Sequence, residues 1–435
     1  MMQVSNFFWI GDKFATEAEV STAYDLHRAL PKINGQFSLA FKDYDSCYTL
    51  VRDQLGVNKL FFAIGESVVE SSNFLIELVE RGYKLDEIYS VPSGHSIVVD
   101  PIRKILKLEK YIKLDFNENF VDVCPIEDHE LAIRKRMTDV FCRLKDVLKD
   151  RRIFVALSGG LDSTTIAAAT REYIGGFTAV TFAIDHGDGN PACSEDLHFA
   201  RIVAAELGVP IETVLATPEE VEALLDVALV YGQDWREFNV HCALVNAKIA
   251  SFLSERYGLT RNARPVILTG DTMNELMADY APVVFRGQEF YTLPRVPAHK
   301  LRRFLVSGLD AGDREVGIFS HFDIDVIQPY SMLADVYASL PAAYLQETDA
   351  KQRLVRRIMG GKIPEEIYRR PKVRAQVGGS HEVGGTLRVM IDAGLTGDHL
   401  RQRFAKLFNC AEDARDRLIQ AGYYRFTDTF PKKEG

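Results

Sequence analysis

The 435-residue sequence has few cysteines, few tryptophans and no long apolar run. No Cys-x-x-Cys pair occurs, which suits reduced thiols in a cytoplasmic compartment. The six cysteines are Cys47, Cys124, Cys142, Cys193, Cys242 and Cys410. No run approaches the roughly 18 apolar residues of a membrane span, so we expect no membrane partner. The first residues lack the basic segment and apolar core of a secretory signal, which predicts a cytoplasmic protein.

Basic charge is also scarce. The chain has 52 Lys and Arg residues against 61 Asp and Glu residues, a formal net charge of −9. This balance argues against a general nucleic-acid binder, and we interpret the short basic clusters at 134–136 and 151–152 as solvated faces. With 47% hydrophobic residues, the chain can bury a sizeable core and has the length of two domains.

The most informative segment is an apolar run, 153–157, that leads into Ser-Gly-Gly-Leu-Asp-Ser and then into small residues typical of a helix. Gly159 and Gly160 let the backbone approach an anion, while Ser158 and Ser163 can donate to phosphate oxygens at the positive end of the helix. Asp162 would repel bound phosphates unless a divalent cation bridges them. The loop therefore predicts a nucleotide bound with Mg²⁺, and not phosphate alone. A Gly-Gly turn alone is common, but the full string is rarer, and the spacing of a Walker A loop is absent.

The pattern of apolar residues changes near residues 113–130. Short alternating runs predict strands in the first part, at 36–41, 47–51, 59–63 and 95–99. The acidic segment 114–130 is predicted to be a linker. We therefore predict two domains, 1–115 and 130–435.

The second part predicts an α/β fold. A helix is expected at 131–149, followed by strands at 153–157, 177–184, 211–215 and 266–268 that alternate with helices at 197–207 and 241–257. Such alternation favours a parallel sheet with helices on both faces and ligands at the carboxyl ends of the strands. From about residue 301 the pattern becomes mostly helical.

Several motifs occur in the order found in asparagine synthetases and their relatives. In the first part, Ile33-Asn-Gly-Gln-Phe-Ser-Leu-Ala-Phe41 and the segment 50–62 resemble that family's glutaminase domain. In the second part, segments 158–163, 266–275 and 363–372 resemble its synthetase half. The resemblance covers roughly residues 30–390. It implies an N-terminal degenerate Ntn-hydrolase-like α+β domain and a C-terminal PP-loop domain of the adenine-nucleotide α-hydrolase type, with a parallel sheet and a helical C-terminal part.

The sequence departs from the family at its first residues. Working glutaminases of the family begin with a nucleophilic cysteine, whereas this chain reads Met-Met-Gln-Val-Ser-Asn and has its first cysteine at Cys47. We therefore expect no glutamine hydrolysis and a first domain that is a structural remnant, or else a docking surface. The amine would then come from solution or from the substrate itself. The β-lactam and carbapenam synthetases, and lasso-peptide cyclases, resemble this arrangement.

The resemblance also implies a reaction and assigns residues to it. A substrate carboxylate would attack ATP to give an acyl-adenylate and pyrophosphate, and an amine would displace AMP. Lys372 matches the lysine that stabilises both steps, Asp271 is the candidate base, and Glu315 lies near the glutamate that assists the base in ring-closing relatives. Asp162 would bind Mg²⁺ with Asn274, which replaces a carboxylate of the family, or with Glu275. Arg370 and Arg374 are expected to be exposed partners or phosphate contacts.

Adenine is expected to be recognised largely by backbone groups. The predicted nucleotide-binding residues are Leu157, Ser158, Gly159, Gly160, Asp162, Ser163, Val180, Phe182 and Gly270.

The leading hypothesis is an AMP-forming amide ligase that joins a small-molecule or peptide carboxylate to an amine in a natural-product pathway. One alternative is an intramolecular ring closure that gives a β-lactam or a macrolactam. A non-catalytic nucleotide-binding scaffold is another. A PP-loop enzyme that modifies RNA is disfavoured by the acidic charge and the absence of paired cysteines. A homodimer is one assembly that the sequence allows.

Overall fold

The computed structural model describes residues 4–20, 23–43, 46–119, 125–187, 194–258, 264–280, 282–310, 312–370, 372, 385–410 and 429–431. Within these ranges, no helix has both the length and the apolar character needed to cross a membrane.

Residues 7–110 fold mainly into antiparallel strands. In chain order these are β1 (Phe7–Ile10), β2 (Lys13–Ala15), β3 (Ile33–Gln36), β4 (Ser38–Lys42), β5 (Tyr48–Arg52), β6 (Phe61–Ile64), β7 (Val69–Ser72), β8 (Ile88–Ser90), β9 (His95–Asp100) and β10 (Ile105–Lys110). The part of the chain that is described forms three sheets here, with strand orders β2-β1-β3, β10-β9-β5-β4 and β7-β6-β8. Two short helices, α1 (Ala23–Ala29) and α2 (Leu75–Glu80), interrupt the strands along the chain.

The four strands predicted in this part are confirmed, with one difference. The run 36–41 is divided at Phe37 between β3 and β4, which belong to different sheets. The amide of Phe37 donates to the Asp53 carboxylate (3.3 Å) and its carbonyl accepts from the Asp53 amide (2.9 Å). Because Phe37 bonds to Asp53 at this point, the chain can pass from one sheet to the next.

A long helix, α3 (Ile126–Leu148), follows the acidic segment. It begins five residues earlier than the sequence predicts, so the expected linker includes its first turn. Pro125 precedes the helix, and Glu127 and Asp128 lie in the first turn, where negative charge interacts favourably with the helix dipole. The acidic residues that suggested a linker therefore belong to the start of a helix.

The second part of the chain alternates strands with helices. The strands are β11 (Ile153–Ala156), β12 (Thr178–Ile184), β13 (Ile211–Ala216), β14 (Val266–Leu268), β15 (Val283–Phe285), β16 (Gln288–Phe290) and β17 (Asp325–Ile327). The helices that follow α3 are α4 (Leu161–Ala169), α5 (Glu195–Leu207), α6 (Pro218–Glu222), α7 (Leu225–Tyr231), α8 (Glu237–Tyr257), α9 (Met273–Met277), α10 (Ala298–Gly308), α11 (Val316–His321), α12 (Ala334–Ala338), α13 (Ala350–Met359), α14 (Glu365–Arg369), α15 (Thr386–Asp392) and α16 (Gly397–Leu407).

A parallel five-stranded sheet, with strand order β13-β12-β11-β14-β17, organises this part. The chain leaves β11 to form its neighbour β12 on one side, whereas β14 pairs on the other side. In such sheets, ligands bind outside the carboxyl ends of the strands at the point where the strand order reverses. The predicted α/β class and parallel sheet are confirmed, although β17 lies in a region predicted to be helical.

The largest hydrophobic cluster includes residues from both sides of the predicted domain boundary, such as Phe61 and Phe74 from the first part and Phe154 and Phe319 from the second. Two smaller clusters are centred on Phe8 and Phe37 and on Phe62 and Val99. The division into 1–115 and 130–435 stays a prediction.

Candidate active site

The loop after β11 is held by its own serines. The Ser163 hydroxyl accepts from the amide of Ser158 (3.2 Å) and donates to the carbonyl of Gly160 (3.2 Å), while the Ser158 hydroxyl accepts from the Gly160 amide (3.3 Å). These bonds fold residues 158–163 into a compact turn at the N-terminus of α4. Hydroxyl and amide donors therefore converge beside the positive end of a helix, as an anion-binding loop requires.

Two glycines allow close packing around this loop. Gly159 has φ +70°, and a Cβ there would lie 2.4 Å from the Cβ of Phe199 in α5. Gly270, just after β14, would place a Cβ 2.7 Å from the amide of Ser163. Gly159 therefore faces α5, whereas Gly270 brings the end of β14 against the start of α4.

A cavity of about 310 Å³ opens at this edge of the sheet, and we call it the first cavity. It is lined by most of the predicted site residues: Leu157, Ser158, Gly160, Asp162, Ser163, Val180, Phe182, Gly270, Asp271, Asn274 and Lys372. Gly159, Glu275 and Glu315 do not line it. The structure thus brings together residues that follow β11 and β14, residues of β12, and a residue that follows α14.

A charged cluster lies at one side of the first cavity. The ammonium of Lys351 is 2.5 Å from the Asp162 carboxylate and 3.0 Å from that of Asp279. Lys372 is 2.7 Å from Asp279, and the side-chain oxygen of Asn274 accepts from both lysines at 2.7 Å. The charges therefore alternate in the order Asp162, Lys351, Asp279 and Lys372, and the amide oxygen of Asn274 contacts both lysines.

The cluster changes the pKa values of its members. Burial and the neighbouring ammonium of Lys351 lower the pKa of Lys372 to about 8. Burial opposes the change at Asp279, but Lys351 and Lys372 lower the pKa of that carboxyl to about 2. Burial also disfavours charge on Lys351, yet Asp162 and Asp279 raise its pKa. The cluster thus keeps Asp279 ionised and Lys351 charged near neutral pH.

Asp162 and Asn274 fit a magnesium site better than Glu275 does. Their side-chain oxygens both contact the ammonium of Lys351, so they converge on one position where a cation is favourable. Mg²⁺ in proteins commonly takes one or two carboxylates and completes its shell with phosphates and water. Glu275 instead accepts from Tyr280 (2.7 Å) and Arg314 (3.0 Å). In the described ranges, no set of three or more His, Cys, Asp or Glu residues is arranged to hold a metal ion.

Asp271, the candidate general base, and Glu315, the residue expected to assist it, both contact Arg314. The guanidinium of Arg314 is 2.9 Å from Glu315 and 3.9 Å from Asp271. Burial, the charge of Asp271 and a hydrogen bond with it raise the pKa of Glu315 well above its ordinary value. Gln328 also donates to Glu315 (3.2 Å). Asp271 lines the first cavity and Glu315 lies behind it.

Arg370 is not the exposed residue that the sequence suggested, but it lines the first cavity, so a phosphate contact stays a prediction. Its side chain is 3% exposed, it donates to the carbonyl of Ser158 (2.7 Å), and it forms an ion pair with Asp196. Its guanidinium lies 4.8 Å from the ring centroid of Phe199. Arg370 therefore ties the loop to α5. Arg374 lies outside the described residues.

Sequence reasoning missed Lys351 and Asp279. Lys351 precedes Leu354, Val355 and Ile358 by three, four and seven residues, so it stands on the buried face of α13. A lysine on an apolar helix face is unusual and was a usable signal. Asp279 follows α9 without a recognisable pattern, and its role depends on the meeting of α9 with α13.

The chain matches the protein family described as Asparagine synthase over residues 144–312 and 330–417. It is 28% identical over 252 residues to the glutamine-hydrolysing asparagine synthetase of Homo sapiens, covering 53% of this chain and 43% of the human protein. It is 40% identical over 68 residues to the tRNA-specific 2-thiouridylase of Bradyrhizobium diazoefficiens, covering 14% of this chain and 17% of that protein. The matched region thus spans less than half of the length of these curated relatives.

A similar solved structure is that of NMN synthetase from Francisella tularensis. The similarity has a TM-score of 0.29 and 12% identity, and it covers 67% of this chain and 96% of the other.

Proposed function

This chain belongs to the asparagine synthase family, and from that premise we propose that it is an AMP- and pyrophosphate-forming ligase that joins a substrate carboxylate to an amine. Family membership supports the coarser statement, an ATP-dependent amide ligase domain. The observation that carries the finer proposal is the cluster of Asp162, Lys351, Asp279 and Lys372 beside the Ser158–Ser163 loop.

The first step is adenylation. A carboxylate oxygen bonds to the α-phosphorus of ATP, and the bond from that phosphorus to the bridging oxygen breaks, so pyrophosphate leaves with the electron pair. Ser158 and Ser163 would donate hydrogen bonds to the leaving phosphates, and Lys372 would offset their charge. Mg²⁺, when bound by Asp162 and Asn274, would neutralise further charge on the phosphates.

The second step is amide formation. The amine nitrogen bonds to the acyl carbon, the bond from that carbon to the AMP oxygen breaks, and AMP leaves. The nitrogen must lose a proton, and we propose that Asp271, which lines the first cavity, accepts it with the help of Glu315, to which Asp271 is hydrogen-bonded. Burial raises the pKa of Glu315, and a group with a raised affinity for a proton suits this role.

ATP–pyrophosphate exchange tests adenylation without knowledge of the amine. A panel of amino, hydroxy, aromatic and peptide carboxylates is added with Mg-ATP and labelled pyrophosphate, and hydroxylamine then traps any acyl-adenylate as a hydroxamate. We expect acid-dependent exchange that falls at least 100-fold in Asp162→Ala and Lys372→Ala.

Lys362→Ala serves as the matched control because Lys362 is 40% exposed, pairs with Glu172 and does not line the first cavity. Its exchange activity should equal that of the wild type. If the protein binds ATP but no acid in the panel promotes exchange, the result would contradict the ligase proposal and favour a nucleotide-binding scaffold.

The amine source is also part of the proposal: an amine taken from solution, and not ammonia released from glutamine. No glutamate should form from glutamine under conditions in which free amines increase AMP release. Ring closure is a second candidate, which the contact of Glu315 with Asp271 supports, since ring-closing relatives place a glutamate near the position of Glu315. Asp271 itself resembles asparagine synthetases, because the ring-closing relatives carry tyrosine at its position. A substrate that carries both groups would then release AMP with no added amine.

A further inference from the structure

A second cavity lies beside the first one. It has a volume of about 240 Å³ and is lined largely by hydrocarbon, with Phe304, Leu305, Leu309 and Val57 among its lining residues. Its apolar walls distinguish it from the first cavity, whose lining includes the serine loop and the lysines. A cavity of this kind suits a ligand with an apolar group.

Three side chains line both cavities and so form the wall between them: Phe238, Tyr280 and Arg314. Arg314 lies 5.1 Å from the ring centroid of Phe238, and the two aromatic rings pack edge to face at 5.8 Å. Among the described residues, only these three side chains would therefore separate a ligand in the second cavity from the first cavity, which is lined by the loop proposed to hold ATP.

The charged residues that line the second cavity are of both signs: three are basic (Lys59, Arg236 and Arg314) and three are acidic (Glu275, Asp313 and Glu315). Arg314 contacts three carboxylates, those of Glu275 (3.0 Å), Glu315 (2.9 Å) and Asp271 (3.9 Å). The second oxygen of Glu275 is buried and has no hydrogen-bond partner among the described residues, and Glu275 itself is 4% exposed. A buried carboxylate oxygen without a partner is costly, and a cation would relieve that cost.

The other charged groups at this cavity already have partners. Arg236 binds both oxygens of Asp234, and Lys59 donates to the carbonyls of Gly56 (2.7 Å) and Leu309 (2.6 Å). Asp313 accepts from the amides of Glu315 and Gly317. Among the described residues that line this cavity, the second oxygen of Glu275 is therefore the buried side-chain polar atom that lacks a hydrogen-bond partner.

We propose that the second cavity binds the amine substrate, a primary amine that carries an apolar group about the size of an aromatic ring, with its ammonium on Glu275. This inference rests on the proposed ligase function. Ammonia would leave most of the space empty, since a molecule of that size needs about 30 Å³. A carboxylate in the same place would add negative charge beside Glu275 and would be repelled.

Isothermal titration calorimetry on the full-length protein tests the proposal without ATP. The probes are 2-phenylethylamine, 3-phenylpropionate and ammonium chloride, so that the first two share a ring and differ in charge. We expect 2-phenylethylamine to bind at least tenfold more tightly than either of the others. Tighter binding of 3-phenylpropionate, or equal binding of all three, would overturn the proposal.

Two variants locate the binding. Glu275→Gln keeps the shape and removes the charge, and Gly308→Leu fills the cavity from the last residue of α10, where an added Cβ meets no heavy atom within 4 Å. Each should weaken 2-phenylethylamine binding at least tenfold. Gly176→Leu is the control, because Gly176 has the same free space but does not line the cavity. Unchanged binding in Gly308→Leu would overturn the proposal even if Glu275→Gln failed to fold.

The two proposals can fail separately. Normal ATP–pyrophosphate exchange without amine binding would refute the amine cavity alone. Amine binding that both variants abolish, in a protein without exchange activity, would refute the ligase proposal and leave the amine cavity in place.

Discussion

Lys351 is the residue on which the charge balance of the first cavity depends. It separates the carboxylates of Asp162 and Asp279, and its side chain is 11% exposed. Removing one member of a largely buried ion pair leaves an uncompensated charge, which costs about 3 kcal/mol or more. We expect Lys351→Met to lower the free energy of unfolding by about that amount and to reduce ATP–pyrophosphate exchange at least 100-fold.

Added Mg²⁺ should show whether Lys351→Met is destabilised by the loss of positive charge or by a change in packing. A divalent ion can replace the missing charge between Asp162 and Asn274, so MgCl₂ should raise the melting temperature of this variant more than that of the wild type. In Lys362→Met, which removes an exposed pair with Glu172, the cost should stay within about 1 kcal/mol. Equal losses in the two variants would contradict the assigned role of Lys351.

His241 makes the free energy of unfolding depend on pH. It is 2% exposed, its Nδ1 is 2.6 Å from the hydroxyl of Tyr291, and burial lowers its pKa to about 3. Between pH 6.5 and 3 the unfolded chain binds a proton that the folded chain excludes, so stability falls as the pH falls, by about 2 kcal/mol at pH 5. The decrease in melting temperature from pH 7 to pH 5 should be smaller in His241→Gln. An identical decrease would show that other groups dominate.

At the scale of elements, the turn from β11 to α4 depends on one glycine more than on its neighbour. Gly159 has φ +70° and no room for a Cβ beside Phe199, whereas Gly160 has φ −75° and would meet only the Ser158 hydroxyl at 3.3 Å. Gly159→Ala should therefore cost more than about 2 kcal/mol and weaken ATP binding, because the loop must move away from α5. Thermal unfolding and ATP titration of Gly159→Ala beside Gly160→Ala check this, and equal effects would contradict it.

Elements with a local signal could be predicted from the sequence, and those fixed by distant contacts could not. The strands β11, β12 and β13 have continuous apolar runs, and the loop residues after β11 carry their own chemistry. In contrast, β17 has three residues and is defined by pairing with β14. Lys351 likewise acquires its role because α13 meets the segment after α9. The sequence thus predicts the phosphate loop well and the charged cluster poorly.

At the scale of the whole molecule, hydrogen bonds connect the N-terminal sheets to Glu315, the residue expected to assist the candidate general base Asp271. Gln36 is fully buried, donates to the carbonyl of Val326 (3.0 Å) and accepts from the amide of Gln328 (3.2 Å). Gln328 in turn donates to Glu315 (3.2 Å) and accepts from Thr272 (3.1 Å). These bonds join residues almost 300 positions apart, so the first part of the chain supports the position of Glu315.

Gln36→Leu tests whether this connection affects catalysis. The substitution keeps the volume but leaves the Val326 carbonyl and the Gln328 amide unpaired, which should lower the free energy of unfolding by about 2 kcal/mol or more. Because Gln328 can then shift relative to Glu315, amine-dependent AMP release should fall about tenfold, while ATP–pyrophosphate exchange, which does not need the base, stays within threefold of the wild type. Gln54→Ala removes another bond between the two parts, to the carbonyl of Ser331 (3.1 Å), without involving Glu315. If both variants slowed AMP release equally, the connection through Gln328 would have no specific role, and the N-terminal sheets would act on the site through general stability alone.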